Sequence, residues 1–127
     1  MKYPLAIVNR IIEVYGREIS VLLGYDIACE FSKTLQRSTI GPRAERVVTG
    51  IVPAFHGHSH NRKCQLDWHP VYRKGAGKED FEGCERFFSF FNGLAANTRL
   101  ATAFHRHQAI EGLVARWAGV KHAESGT

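Results

Sequence analysis

Residues 19–29, Ile-Ser-Val-Leu-Leu-Gly-Tyr-Asp-Ile-Ala-Cys, decide how this chain is read. Ile19 to Leu23 is a short run of β-branched and aliphatic residues that stops at Gly24, the pattern of a buried strand. Asp26 stands just past the C-terminal end of that run. Ala28, Phe31 and Leu35 then fall on one face of a helix. A strand, an acid and a helix in that order predict a helix-rich α/β fold. In open α/β sheets, ligands gather outside the carboxyl ends of the strands.

Working upstream, Pro4 can open a helix without losing a needed N–H. Leu5, Val8, Ile11, Ile12 and Tyr15 recur at helical spacing, and Gly16 stops them. Downstream, Ser38 to Pro42 is a break, and Pro42 opens a short helix carrying Val47 and Val48. Ile51 to Phe55 reads as a second strand, which Pro53 confines to an edge or makes irregular. Asp67 to Lys78, with Pro70, Gly75 and Gly77, reads as a loop. Asp80 is expected to cap a helix through Phe87, Phe88 and Phe91. A last helix runs from about Thr98 to Trp117 on Leu100, Phe104, Ile110, Leu113 and Val114. Residues 1–121 are expected to form one domain and 122–127 a disordered tail.

The bulk numbers suit a packed globular core, with 44% hydrophobic and 23% charged residues. No run approaches the about 20 apolar residues of a membrane span, and no secretory leader is evident, so an intracellular protein is expected. A formal charge of +5 favours acidic partners such as nucleic acid, although the basic residues are scattered. Three cysteines, Cys29, Cys64 and Cys84, are odd in number and contain no CxxC pair, which points to reduced thiols. Cys29 and Cys84 are read as small packing residues.

The acids are the first chemical signal. Carboxylates from separate elements can hold two Mg²⁺ or Mn²⁺ ions, roughly 3.5–4 Å apart, as phosphodiester-cutting enzymes do. Asp26 with Glu82 or Glu85 would supply two such ligands. Each has a plainer explanation. Asp26 can cap the segment that starts at Ile27, and acids before a helix suit its dipole. Glu85 can equally pair with Arg86 or another structural partner.

The second signal is Phe-His-Gly-His-Ser-His-Asn-Arg-Lys-Cys over residues 55–64. His60 and Cys64 are four apart and would meet on one helix face. Zinc accepts both donors, and His56, His58 or His69 would complete a site, but the spacing matches no standard finger. Core hydrogen bonding and solvation are the plainer account of these histidines. A histidine near Asp26 would contact a scissile phosphate or move a proton. Phe87, Phe88, Phe90 and Phe91 are read as core rather than as base-stacking platforms. Arg62, Lys63 and Arg86 are the candidate DNA-backbone contacts, while Arg99, Arg106 and Arg116 lie off the apolar stripe of the last helix.

Five blocks in order, KYPLAIV (2–8), GYDIAC (24–29), FHGHSHNRKCQL (55–66), GKEDFEGCERFFS (77–89) and AFHRHQAIE (103–111), resemble the Kyakuja-Dileera-Zisupton transposases, DNA transposon proteins abundant in fungi. The resemblance spans nearly the whole chain. It implies an RNase H-like catalytic core with an Asp-Asp-Glu metal site, a DNA partner and a nuclear location. Asp26 would be the second aspartate, at the end of the fourth core strand, and Glu82 or Glu85 the helix glutamate. The first aspartate would lie upstream, yet no aspartate precedes position 26 here. The chain is therefore expected to be a partial RNase H-like fold lacking its first strands. It is expected to be poorly stable or self-associating alone, to pair with a full-length transposase or with itself, and to be inactive without that acid. Two other readings stand beside it: a non-catalytic DNA- or protein-binding module, and a small zinc-dependent histidine nuclease built on His56 to Cys64.

Overall fold

The computed structural model describes residues 2–16 and 19–126. Two compact units divide the chain, Met1–Glu82 and Gly83–Thr127.

In the first unit, α1 (Lys2–Tyr15) carries Val8 and Ile12 into the core and ends at Gly16, whose φ of +62° suits glycine. β1 (Val21–Gly24) follows, then α2 (Ala28–Gln36), α3 (Gly41–Val47) and β2 (Val48–Ile51). The strands pair in parallel, Val21 opposite Val48 through Gly24 opposite Ile51, and α2 and α3 form the crossover that a parallel pair requires. Val8, Ile12, Phe31, Ala44, Val47 and Val48 form one buried cluster, so α1, α2 and α3 meet over the start of β2. Full burial of a side chain such as Val8 or Ile51 contributes about 1.5–3 kcal/mol.

The helix-rich α/β expectation holds, with a sheet of two strands among the described residues. The second strand is earlier than the spacing implied. It begins at Val48, and residues 54–57 form a short helix, α4 (Ala54–Gly57), where a strand to Phe55 was expected. The β-branched pair Val47-Val48 ends α3 and starts β2, because Val48 adopts extended backbone at the helix end. Pro53 then opens α4. Next come α5 (Arg62–Trp68) and a 3-10 turn, Pro70–Tyr72, inside a region read as starting a loop at Asp67. Past Ile51 the chain stays tied: the Val52 amide donates to the Trp68 carbonyl at 3.0 Å, and the Ala54 amide to the Asp80 carbonyl at 3.0 Å.

The second unit contains α6 (Gly83–Asn97) and α7 (Ala103–Ser125). Thr102 caps α7 by accepting the His105 amide, which starts this helix five residues later than the spacing suggested. Helix continues through 122–125, where a frayed tail was expected, and Gly126 at φ +72° closes it. Phe87 and Phe90 of α6 lie 5.9 and 4.9 Å from the Trp117 ring of α7. These rings join the two helices, but none of the four phenylalanines read as core is buried: Phe88 and Phe90 are exposed and Phe87 and Phe91 half-buried. No helix among the described residues is long and apolar enough to cross a membrane.

Candidate active site

Asp26 lies in the turn between β1 and α2. The Tyr25 amide donates to the Ile51 carbonyl at 2.9 Å, extending the sheet by one bond, and the Ala28 amide donates to the Tyr25 carbonyl at 2.8 Å. Asp26 is thereby held at the carboxyl end of β1. It does not cap the following helix: the N-cap is Ile27, with no side-chain bond to an amide. Its side chain is 59% exposed.

Glu82 is the opposite kind of acid, with a side chain only 11% exposed. Its Oε1 accepts the Phe55 amide at 2.8 Å, one of the donors left free at the start of α4. Glu82 precedes α6 rather than lying within it, because the helix begins at Gly83. Asp80 was expected to cap that helix. Its Oδ1 instead accepts the Glu82 amide at 2.9 Å, an Asx-type turn that sets the Glu82 backbone. Glu85 falls in the first turn of α6, in the second unit, where it is exposed, as is Arg86.

Between the two acids of the first unit stands His56 of α4. Its Nε2 is 3.7 Å from Asp26 Oδ2, and its Nδ1 is 3.4 Å from Glu82 Oε2. Both distances are those of charged neighbours, beyond a formed hydrogen bond. Consistent with that, the buried Nδ1 has no hydrogen-bond partner among the described residues. An imidazole carrying both protons offers one N–H toward each carboxylate. Asp26 and Glu82, 56 positions apart in sequence, thus converge on one ring.

Backbone strain accompanies this arrangement. Phe81 has φ +61°, a left-handed conformation that bulky residues rarely adopt. Its ring lies against Gly24, where an added Cβ would come within 2.9 Å of Phe81 Cβ. That atom is fixed to the backbone, so it cannot swing aside. Gly24→Ala is expected to push Phe81, and Glu82 with it, and to cost about 1–3 kcal/mol, read from the midpoint of denaturant unfolding. An unchanged midpoint would show that the contact yields freely.

Apart from His56, the histidine and cysteine block separates into two further places. His58 is exposed and lies 6.0 Å from the His69 ring, and His69 Nδ1 accepts the Val71 amide at 3.3 Å. His60 and Cys64 do meet, at 3.2 Å from Nδ1 to Sγ, but not on one helix face. His60 precedes the α5 cap, Asn61, whose side chain accepts the Cys64 amide at 2.9 Å. The third member is Cys29 of α2, at 3.5 Å from the same Nδ1, rather than His56, His58 or His69. Cys29 was read as a packing residue, and a contact across 31 positions leaves no local signal in the sequence. Burial, reinforced by the Cys29 thiol, pushes the Cys64 thiol up to about 11. Arg62 and Lys63 are exposed at the start of α5.

Comparison with curated proteins and with solved structures gives no match. A family profile described as Kyakuja-Dileera-Zisupton transposase, by contrast, matches residues 1–118. All five blocks that carry the resemblance, with Asp26, His56 and Glu82 among them, lie inside the matched region. The match takes in far more than half of the 127 residues, and the chain belongs to the Kyakuja-Dileera-Zisupton transposase family.

Proposed function

We propose that this chain forms part of the catalytic domain of a transposase that cuts and rejoins DNA strands. On this reading Asp26 and Glu82 are two of the acids of a Mg²⁺ or Mn²⁺ centre. The observation that carries it is their convergence on His56 from a strand end and from the entrance to α6. The β1–β2 pair with its crossover helices is then a portion of an RNase H-like sheet. Each strand has an edge that further strands, or a second copy, would pair.

The two carboxylates offer the hard oxygens that Mg²⁺ and Mn²⁺ prefer, but Asp26, His56 and Glu82 do not bring one ligand atom each within 4.8 Å of one another, so sharing an ion requires the exposed Asp26 side chain to turn toward Glu82. When bound, the ion supplies Lewis-acid stabilisation of charge at the attacked phosphodiester. The protein groups do the rest. Glu82 is fixed by the Phe55 amide, so one of its oxygens stays aimed at the site. Asp26 is open to an approaching backbone. His56, 3.7 Å from Asp26 and 3.4 Å from Glu82, is placed to move a proton to a leaving oxygen. Arg62 and Lys63, with Arg86 on α6, contact DNA phosphates. A nuclear site of action is what the family resemblance implies for this reading.

The acid that such centres take from an upstream strand is not among residues 1–25, which contain no aspartate. The polypeptide by itself is therefore expected to bind DNA in a salt-dependent way and to leave it uncut with Mg²⁺ or Mn²⁺. Gel-shift and plasmid-nicking assays read both. Nicking that Asp26→Ala abolishes would contradict the expected inactivity and keep the metal centre. DNA binding indifferent to EDTA, in a protein that takes up no divalent ion at Asp26, would replace this reading with a non-catalytic binding module.

A further inference from the structure

Cys29, His60 and Cys64 form a second cluster, independent of the acids, in which all three ligand atoms lie within 4.8 Å of one another. We propose that these three residues bind a zinc ion that clamps the start of α2 to the turn before α5.

The geometry is that of a ligand set more than of a hydrogen-bonded trio. His60 Nδ1 faces two sulfurs at once, Cys29 at 3.5 Å and Cys64 at 3.2 Å. A neutral imidazole nitrogen has one lone pair and can accept well from only one thiol. A cation at the centre satisfies all three groups together. Zn–S bonds of about 2.3 Å and Zn–N bonds of about 2.0–2.1 Å give a tetrahedron with N···S edges of about 3.6 Å. The observed separations need only a small expansion. Two thiolates and an imidazole form a soft donor set that suits zinc over Mg²⁺ or Ca²⁺.

The positions are also built in advance. Asn61 Oδ1 holds the Cys64 amide at 2.9 Å, and Gln65 Nε2 donates to the His60 carbonyl at 2.8 Å, so the His60–Cys64 segment is fixed from both sides. All three ligands are half-buried and line one side of an open cavity of about 350 Å³. No further His, Cys, Asp or Glu among the described residues brings a ligand atom within the same reach, which leaves the fourth position to water. Binding displaces the two thiol protons to solvent.

The clamp has a structural consequence. Cys29 follows Asp26 by three residues and His60 follows His56 by four, so the ion ties together the two segments whose spacing defines the acid site. The zinc site does not depend on that site being catalytic.

The test is metal analysis of the full chain purified under reducing conditions. Expected are about one zinc per chain, its removal by chelators through the open fourth position, and a fall in Tm of about 5 °C or more on removal. Cys29→Ser, His60→Ala and Cys64→Ser should lose the metal, while Cys84→Ser, an exposed position in the other unit, should keep it. Because a ligand variant can fail to fold, cobalt titration of the unaltered chain provides a separate reading: a thiolate-to-cobalt charge-transfer band should saturate at about one equivalent. No such band with excess cobalt, or unchanged zinc content in the ligand variants, would overturn the proposal.

Discussion

Asp26→Asn is expected to leave stability within about 0.5 kcal/mol of the unaltered chain and to weaken Mn²⁺ binding by at least about 100-fold. The two halves of this result come from different facts. Asp26 is 59% exposed, caps no helix, and forms no side-chain hydrogen bond among the described residues. The turn that carries it is tied through Tyr25, whose amide donates to the Ile51 carbonyl and whose carbonyl accepts the Ala28 amide, and neither bond involves the Asp26 side chain. A residue with no packing or capping role that sits at a strand end beside a histidine is the one whose removal should show in function alone. Loss of an outer-shell partner commonly costs 10- to 100-fold in metal affinity, so loss of a charged ligand should cost at least the upper figure. Calorimetric titration of Mn²⁺ and a denaturant melt measure the two quantities on the same sample. A destabilisation above about 1 kcal/mol with unchanged Mn²⁺ affinity would give Asp26 a structural role instead.

Glu82 should behave differently, because it has two tasks. Glu82→Ala removes the acceptor of the Phe55 amide and leaves that donor unsatisfied, at a cost of about 1–3 kcal/mol. It also removes the carboxylate facing His56 Nδ1. Glu82→Gln keeps an oxygen that can accept the same amide but removes the charge. The glutamine variant is expected to melt close to the unaltered chain and to bind Mn²⁺ as poorly as Asp26→Asn. The alanine variant is expected to lose both stability and metal. If the glutamine variant retained Mn²⁺ binding, Glu82 would be a support for α4 and nothing more, and Glu85 would return as the candidate.

Much of this was legible locally. The spacing of Leu5, Val8, Ile11, Ile12 and Tyr15 marks α1, and the strand read over Ile19 to Leu23 is present as β1, starting two residues later at Val21 and including Gly24, before the helix on Ala28, Phe31 and Leu35. The errors share a cause. Val47 and Val48 belong to different elements, and only pairing with Val21 shows where the strand begins. His60 and Cys64 meet because Asn61 caps α5 between them, not because they share a helix face. Glu82 is oriented by Asp80, by the left-handed Phe81 and by the distant Phe55 amide, none of which a helical reading of residues 80–91 includes. Cys29 joins its cluster, and His56 joins Asp26 to Glu82, through tertiary contacts alone. Local pattern located the residues; the partners of each came from packing.

On the proposed function, the acids on either side of His56 share one divalent cation. Proton NMR of the histidine rings during a Mn²⁺ titration tests it most directly, because a paramagnetic ion broadens only nearby resonances. The His56 signals, assigned by their loss in His56→Ala, are expected to broaden first while those of His58 stay sharp. The effect is expected to disappear in Asp26→Asn and in Glu82→Gln. His56 signals that stay sharp with excess Mn²⁺, or that broaden equally in both variants, would contradict a shared ion.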